Sequence, residues 1–241
     1  MSKQFTFCFS FLLCSFLTIY SFPKDSLIKL DLPKYIVISS SSICSSFFLD
    51  NDINNLRIKY QENNYKFSNY GKNLSLFSSN GVTYGISSLF FCYGLYKRDK
   101  AIVNKSLLLI EGLTLANGFS FFVKTATGRY RPNSELNDWL GPPNNIKDLK
   151  YRFNNDIDSY FSGHSVRMWT IASMLDDLSD NKLLINSIYA LAIVSSSGRI
   201  IEGEHWLSDV VTGALLGYGL GKLTIYLNKN NKSRFAINKV E

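Results

Sequence analysis

The chain contains only two histidines, His164 and His205, and each lies beside residues able to bind an anion or to support acid–base or nucleophilic chemistry. His205 precedes Asp209 by four residues, a spacing that puts both side chains on one face of a helix. A carboxylate bonded to one ring nitrogen fixes the tautomer of a histidine and makes the other nitrogen a better nucleophile or base. Structural His–Asp pairs have the same spacing, so this pair alone does not establish catalysis.

His164 follows Ser162 and Gly163 at the start of a segment with helical periodicity. Serine is a favourable N-cap residue, and glycine lets a ligand approach the backbone closely. Because the N–H groups of a first helical turn are free donors, an oxyanion bound there is stabilised. A histidine at that point can donate a proton to a leaving group, although a capping histidine without a catalytic role fits the pattern equally well.

Three basic residues lie close to these clusters in the sequence. Lys124 and Arg131 are seven residues apart, with Gly128 between them and Pro132 ending any helix. Two cations at one helix end can hold an anion, although a solvated basic helix end gives the same pattern. The third, Arg199, precedes the second histidine by six residues and is available to the same anion.

These residues form three clusters along the chain, at residues 124–132, 162–164 and 198–209. Taken in order, the three clusters resemble the type 2 phosphatidic acid phosphatase superfamily, which also includes bacterial non-specific acid phosphatases and vanadium haloperoxidases. The pattern of that family is Lys, six residues and Arg-Pro; then Pro-Ser-Gly-His; then Ser-Arg, five residues, His, three residues and Asp. The chain matches the first part in full, but Phe161 replaces the proline of the second part and Gly198 the serine of the third. The resemblance covers residues from about 101 to 228.

The resemblance implies a metal-independent phosphatase that hydrolyses phosphomonoesters through a phosphohistidine intermediate. His205 would attack phosphorus while Asp209 orients its ring, and His164 would protonate the leaving alkoxide and then activate water. The groups that would hold the phosphoryl oxygens are the side chains of Lys124, Arg131, Arg199 and Ser162 and the amide of Gly163. No metal or other cofactor is expected, and the expected substrate is a phosphorylated lipid or a small phosphoester.

Two alternatives from other classes stay open. A vanadate-dependent haloperoxidase of the same fold would use the same anion site, and a non-catalytic phosphoester-binding envelope protein would bind without turnover. A nucleic-acid partner is not expected, because the 26 basic residues behind the net charge of +7 are dispersed along the chain. A composition that is 46% hydrophobic and 19% charged excludes an intrinsically disordered protein.

The fold expected to position these residues is all-α, a bundle of about five to six core helices with the active site at one end. The clearest helical patterns cover residues 101–124, 164–178, 183–198 and 206–228, and a weaker one covers 35–49. The last of these helices contains a small-residue ladder, which predicts close packing against a neighbouring helix: Gly213, Gly217 and Gly221.

Two polar stretches are predicted outside these helices. Residues 50–72 form a polar connector, and residues 133–160 form a loop. We expect this loop, with Trp139 and Tyr151, to cover the site and set its selectivity.

The N-terminal residues indicate the compartment. Lys3 precedes a nearly unbroken apolar run over residues 5–20, so residues 1–21 are predicted to be a signal peptide or an N-terminal anchor. Residues 22–241 then form a single helical phosphatase domain. We expect Cys44 and Cys92 to be buried free thiols, although the sequence leaves open whether they pair.

Membrane association is expected, but its form depends on the helices. Only eight uncharged residues lie between Arg167 and Asp176, fewer than the roughly 20 that a span requires. Lys105 and Glu111 interrupt the helix that precedes Lys124. We therefore favour export to the cell envelope as a periplasmic soluble or peripheral enzyme, over an integral inner-membrane enzyme with an outward-facing site.

Overall fold

The computed structural model describes residues 32–134, 136 and 138–230, and the signal peptide or anchor predicted for residues 1–21 lies outside them. This part of the chain is mostly α-helical. Its helices are α1 (Leu32–Asn63), α2 (Phe67–Ser75), α3 (Asn80–Lys97), α4 (Lys100–Thr127), α5 (Ile146–Asn154), α6 (Gly163–Leu178), α7 (Lys182–Glu202) and α8 (Leu207–Asn230). Two short 3-10 turns, Leu76–Ser78 and Pro132–Ser134, and a bridge between Arg129 and Trp139 complete its regular structure. The prediction of an all-α fold is confirmed.

Helix α6 is the central helix of the bundle and packs against α4, α7 and α8. Its closest contact is with the glycine ladder of α8. A Cβ added at Gly213 would lie 2.7 Å from the Ser162 carbonyl oxygen, and one added at Gly217 would overlap the Val166 carbonyl. The predicted helix–helix contact is therefore confirmed, and it lets two backbones meet without side chains between them.

The polar connector predicted for residues 50–72 is wrong. Helix α1 continues to Asn63, and α2 occupies most of the remainder. Asp50 and Arg57 break the apolar periodicity of the sequence, but both side chains are buried within the bundle. Polar residues that point inward to polar partners therefore concealed the helix.

The loop predicted for residues 133–160 is partly helical, because it contains α5. Asn145 caps this helix, its side chain accepting from the backbone N–H of Asp148. The charged residues that indicated a loop include Arg152, which is buried and pairs with Asp148 one turn earlier.

Four helix ends meet at one end of the bundle. Helices α4 and α7 finish there, at Gly128 (φ 55°) and Gly203 (φ 82°), in the left-handed conformation that favours glycine. Helices α6 and α8 begin there, and Ser162 caps α6 by accepting from the N–H of Ser165. This convergence brings the three sequence clusters together.

Within the described ranges, three helices are long and apolar enough to cross a membrane, namely α4, α7 and residues Leu207–Asn228 of α8. Between 28% and 39% of their most apolar 18-residue windows is buried, so most of this apolar surface faces outward. Lys105 and Glu111, which we counted against a span, have polar partners within the bundle. The Lys105 ammonium donates to the Leu178 carbonyl at 2.8 Å, and Glu111 accepts from Asn228 at 3.3 Å.

Both cysteines in the described ranges are free, as expected, but they are not buried. Cys92 is exposed, and Cys44 is partly exposed.

Candidate active site

A cavity of about 440 Å³ opens at the end of the bundle where the four helix ends meet. Six of the eight predicted site residues line it: Lys124, Arg131, Gly163, His164, Arg199 and His205. The other two, Ser162 and Asp209, are fully buried next to lining residues. The structure thus brings all three sequence clusters to one site.

His205 is held from its Nδ1 side. This atom lies 3.6 Å from Asp209 Oδ2 and 3.4 Å from Ser159 Oγ. Asp209 is fixed in turn, because the same Oδ2 accepts from Ser159 Oγ and, at 2.9 Å, from the backbone N–H of Trp206. The ring therefore has one side directed at a carboxylate, which leaves Nε2 for the cavity.

Burial favours the neutral form of both histidines in the free site. Burial lowers the pKa of His205 to about 3, although Asp209 acts in the opposite direction. Burial also holds the pKa of His164 well below its usual range, and the positive charges of Arg199 and Arg167 lower it further. A neutral imidazole has a free nitrogen lone pair, as a nucleophile requires.

Lys124 and Arg131 share one carboxylate, that of Asp158. Lys124 Nζ lies 3.2 Å from Asp158 Oδ2 and donates to its backbone carbonyl at 2.5 Å, while Arg131 Nη2 lies 2.8 Å from Oδ1. Burial acts to raise the pKa of Asp158, but the two cations bring it below its ordinary value. Asp158 therefore sets the distance between the two predicted phosphate-binding cations.

Arg131 and Arg199 are connected by a second carboxylate, that of Glu204. It pairs with Arg131 Nη1 and lies 3.5 Å from Arg199 Nη2, while Glu202 pairs with Arg199 Nη1. We did not predict the roles of these acidic residues, although both glutamates lie within three residues of His205 in the sequence. In the free site, carboxylates thus compensate the cations that would bind phosphate.

The sequence analysis also missed a buried ion-pair chain behind the site. Arg129 Nη1 donates to Asp209 Oδ1 at 2.6 Å, and Arg129 Nη2 donates to Asp50 Oδ2 at 2.6 Å. Asp50 in turn accepts from the N–H of Ser208 at 2.8 Å and from its hydroxyl at 2.6 Å. All three charged side chains are at most 1% exposed.

Aromatic rings enclose the guanidinium of Arg129. Its Cζ lies 4.8 Å from the ring centre of Trp139, 5.2 Å from that of Trp206 and 5.3 Å from that of Phe47. The surroundings are therefore poor in water, where ion pairs are strong and unpaired charges are costly. The sequence signal for this role is weak: an arginine within the first motif, and an aspartate 79 residues earlier.

The two departures from the family pattern have structural reasons. Gly198 lies against α2, and a Cβ there would be 2.7 Å from the Gly71 carbonyl oxygen, so a serine would force the two helices apart. Phe161 is fully buried, with its ring centre 6.0 Å from that of Phe119. Both residues serve packing, and neither replaces a group that lines the cavity.

The expectation that Trp139 and Tyr151 cover the site is wrong. Trp139 is buried against Tyr160, and Tyr151 is 58% exposed; neither lines the cavity. Part of the cavity wall comes instead from α3 and α4, through Asn80, Tyr84, Asn117, Ser120 and Phe121. Among the described residues, no group of three or more His, Cys, Asp or Glu side chains is arranged to hold a metal ion.

Comparison with known proteins gives one match. A family model described as the PAP2 superfamily matches residues 105–233, more than half of the chain and all of the residues of the three clusters. No curated protein and no solved structure matches the chain.

Proposed function

The chain belongs to the PAP2 superfamily, whose members are broadly phosphatase-type enzymes acting on phosphorylated substrates, and we propose that it is a metal-independent phosphatase using a phosphohistidine intermediate. One observation carries the proposal. A single cavity is lined by two histidines, whose pKa values are lowered by burial, and by cations from two helix ends, Lys124 and Arg131 near the end of α4 and Arg199 near the end of α7.

In the first half-reaction, Nε2 of His205 attacks phosphorus, and the bond between phosphorus and the leaving oxygen breaks. His164 donates a proton to that oxygen, so an alcohol leaves and a phosphohistidine stays on the enzyme. Asp209 stabilises the imidazole as it becomes positively charged. Its contact with the Nδ1 side of the ring supports this role.

In the second half-reaction, water attacks the phosphohistidine. His164, now neutral, takes a proton from the water as the phosphorus–nitrogen bond breaks, and phosphate and free His205 result. Lys124, Arg131 and Arg199 neutralise the charge on the phosphoryl oxygens in both transition states. The first-turn amide of Gly163 adds a donor at the N-terminus of α6.

The apolar surface supports a membrane-embedded enzyme and a lipid phosphate substrate. Phe121 lines the cavity and is 57% exposed, and further large apolar side chains along α3 and α4 are also exposed: Leu89, Phe90 and Phe122. Water disfavours such a surface, whereas lipid chains cover it at no cost. Of the two forms left open by the sequence, this favours the integral one.

The orientation follows from the opposite end of the bundle. Lys97 ends α3 and Lys100 begins α4, whose other end carries Lys124 at the site. Because basic residues favour the cytoplasmic side, this supports a site that faces away from the cytoplasm. An outward site is consistent with the export predicted for the chain.

Phosphate release by the detergent-solubilised full chain tests the function. We would measure it from phosphatidic acid in mixed micelles and from 4-nitrophenyl phosphate, with EDTA present, for the wild type, His205→Ala and Asp209→Asn. We expect turnover in EDTA, no turnover in His205→Ala, and a loss of about 10²–10⁴-fold in Asp209→Asn. Asp176→Asn, at an aspartate far from the cavity that pairs with Lys222, is the matched control and should keep full activity.

Two results would refute the proposal: turnover that survives in His205→Ala, or turnover that EDTA abolishes. An acid-labile, alkali-stable phosphoryl label on the wild type but not on His205→Ala would identify the intermediate. Vanadate-dependent halide oxidation without phosphate release would instead favour the haloperoxidase alternative.

A further inference from the structure

Arg167 is a fourth cation of the cavity, and the proposed reaction does not use it. It lies in α6, three residues after His164, and it is outside the three clusters. Its side chain lines the cavity, although the residue is only 6% exposed. It therefore presents a buried positive charge to whatever fills the cavity.

This charge differs from the other three in having no carboxylate partner in the described part of the chain. Arg167 Nε donates to the Ser78 carbonyl at 2.9 Å, and Nη1 donates to Asn117 Oδ1 at 3.0 Å. Both partners are uncharged, and Nη2 donates to none of the described residues. A buried charge without a counter-charge is destabilising, so a site that keeps one is suited to an anionic ligand.

Asn117 is fixed with its oxygen toward the guanidinium. Its Nδ2 donates to Asn80 Oδ1 at 3.1 Å and to Tyr84 Oη at 3.1 Å, which leaves Oδ1 for Arg167. The network therefore holds the guanidinium in place without neutralising it. Asn80, Tyr84 and Asn117 also line the cavity, so this wall is polar but uncharged apart from Arg167.

Arg167 lies at the start of α6, beside the proposed proton donor His164. Its Nη1 is next to Gly163, 3.3 Å from the position that a Cβ would take there. Besides burial, the positive charges of Arg199, Arg167 and Lys124 lower the pKa of His164, the proposed proton donor. Lys124 and Arg199 also lower the pKa of His205, so Arg167 is the cation that acts on His164 alone. Because His164 gives its proton to the leaving oxygen in the proposed mechanism, the leaving group would lie beside His164 and close to Arg167.

We propose that Arg167, oriented by Asn117, forms a leaving-group subsite that binds a second negative charge close to the scissile bond. This inference rests on the proposed phosphatase function and adds the substrate class to it. The substrate class is phosphoesters or phosphoanhydrides whose leaving group is itself anionic. Examples are a phosphoanhydride and an ester whose alcohol carries a carboxylate. A simple neutral alcohol would leave the charge of Arg167 uncompensated.

Binding of non-hydrolysable probes to the detergent-solubilised full chain tests the subsite without requiring turnover. The probes are methylphosphonate, with one anionic group, and methylenediphosphonate and phosphonoacetate, with a second phosphonate or a carboxylate. We would measure their dissociation constants by calorimetry in the wild type, Arg167→Gln and Asn117→Asp. Asn117→Asp retains the acceptor for Arg167 and supplies the missing counter-charge, while the amide of Asn80 can rotate to donate to it.

We expect the wild type to bind at least one two-anion probe at least tenfold more tightly than methylphosphonate. Both variants should lose this preference and still bind methylphosphonate within about threefold of the wild type. Arg167→Lys should retain part of it, because the charge remains. Asn181→Asp, at the start of α7 far from the cavity, controls for the change in net charge and should retain it in full.

A wild type without the preference, or a preference that survives in Arg167→Gln or in Asn117→Asp, would overturn the subsite. Tighter binding of methylenediphosphonate indicates a phosphoanhydride substrate, and tighter binding of phosphonoacetate indicates an ester whose alcohol carries a carboxylate. If the preference depends on Arg167 but no phosphoester is hydrolysed, the subsite stands and the phosphatase proposal fails. If hydrolysis occurs but Arg167→Gln leaves unchanged the ratio of the dissociation constants of methylphosphonate and the two-anion probes, the phosphatase proposal stands and the subsite fails.

Discussion

Replacing Arg129 should destabilise the protein more than the loss of any surface charge, because two buried carboxylates depend on it. Asp50 and Asp209 each lie 2.6 Å from its guanidinium, and neither is more than 1% exposed. In Arg129→Met the apolar side chain still fits among the aromatic rings, but both carboxylates lose their counter-charge. Breaking one buried pair costs about 3–5 kcal/mol, and we expect at least this cost.

Thermal unfolding in detergent micelles measures the effect. For a chain of this size, 1 kcal/mol corresponds to roughly 2–4 °C, so Arg129→Met should melt roughly 6–20 °C below the wild type. Arg152→Met is the matched control. Arg152 is also buried, but its partner Asp148 is partly exposed and regains water when the pair is broken, so a smaller shift is expected.

The double variant makes the test specific. Asp50→Asn alone should cost about 1–3 kcal/mol, because Arg129 and Ser208 lose a charged acceptor. In the Arg129→Met background the same change removes an uncompensated buried charge and should be neutral or stabilising. Strictly additive melting temperatures would show that Asp50 and Asp209 do not depend on one cation, and the reasoning would be refuted.

Three further predictions follow from other parts of the bundle. Gly217→Ala should cost about 1–3 kcal/mol, because the new Cβ overlaps a backbone carbonyl of α6, whereas Gly219→Ala, whose nearest neighbour is 3.7 Å away, should melt like the wild type. Phe121→Ala should raise the KM for phosphatidic acid but not for 4-nitrophenyl phosphate, and Tyr151→Ala should change neither; an effect of Tyr151→Ala alone would contradict the cavity wall described above. Burial lowers the pKa of His205 from 6.5 to about 3, so between these pH values the folded state binds fewer protons than the unfolded state. The folded state is therefore most stable, with respect to His205, above pH 6.5, and it loses this stability as the pH falls toward 3. Between pH 7 and pH 4.5 the contribution of His205 to the free energy of unfolding should fall by about 2–3 kcal/mol. A melting temperature that falls equally in the wild type and in His205→Gln would contradict the assignment of this effect to His205.

The arrangement of the candidate site could be predicted from the sequence where its residues are close in the chain or belong to a recognisable pattern. His205 and Asp209 are one helical turn apart, and their contact follows from helix geometry alone. The helices that carry the clusters were predicted to within a few residues, because their apolar positions repeat at helical spacing. The glycine ladder was interpreted correctly because a row of small residues has few uses other than close packing.

The parts that sequence reasoning missed are pairings between distant segments. Asp50 and Arg129 are 79 residues apart, and nothing local to either indicates the other. Because Asp50 breaks an apolar pattern, it concealed the second half of α1. Arg167 misled the prediction of the site in a similar way. In the sequence it only shortens a candidate membrane span, whereas in the structure it is buried and lines the cavity. Inward-facing charges therefore misled both the helix prediction and the site prediction.

The proposed mechanism requires opposite protonation states of two neighbouring histidines. His205 must be neutral to attack, and His164 must carry a proton for the leaving oxygen. Burial and nearby cations lower the pKa of both, so the free site meets only the first requirement. The substrate meets the second requirement, because its charge offsets the cations and because a phosphomonoester, with a second pKa near 6, brings a proton when it enters as a monoanion.

Until the substrate arrives, Asp158 and Glu204 compensate the cations of the site. Since the phosphoryl group brings its own negative charge, its binding must weaken these ion pairs. Acidic conditions therefore assist the leaving group while His205 stays neutral, until the pH approaches 3.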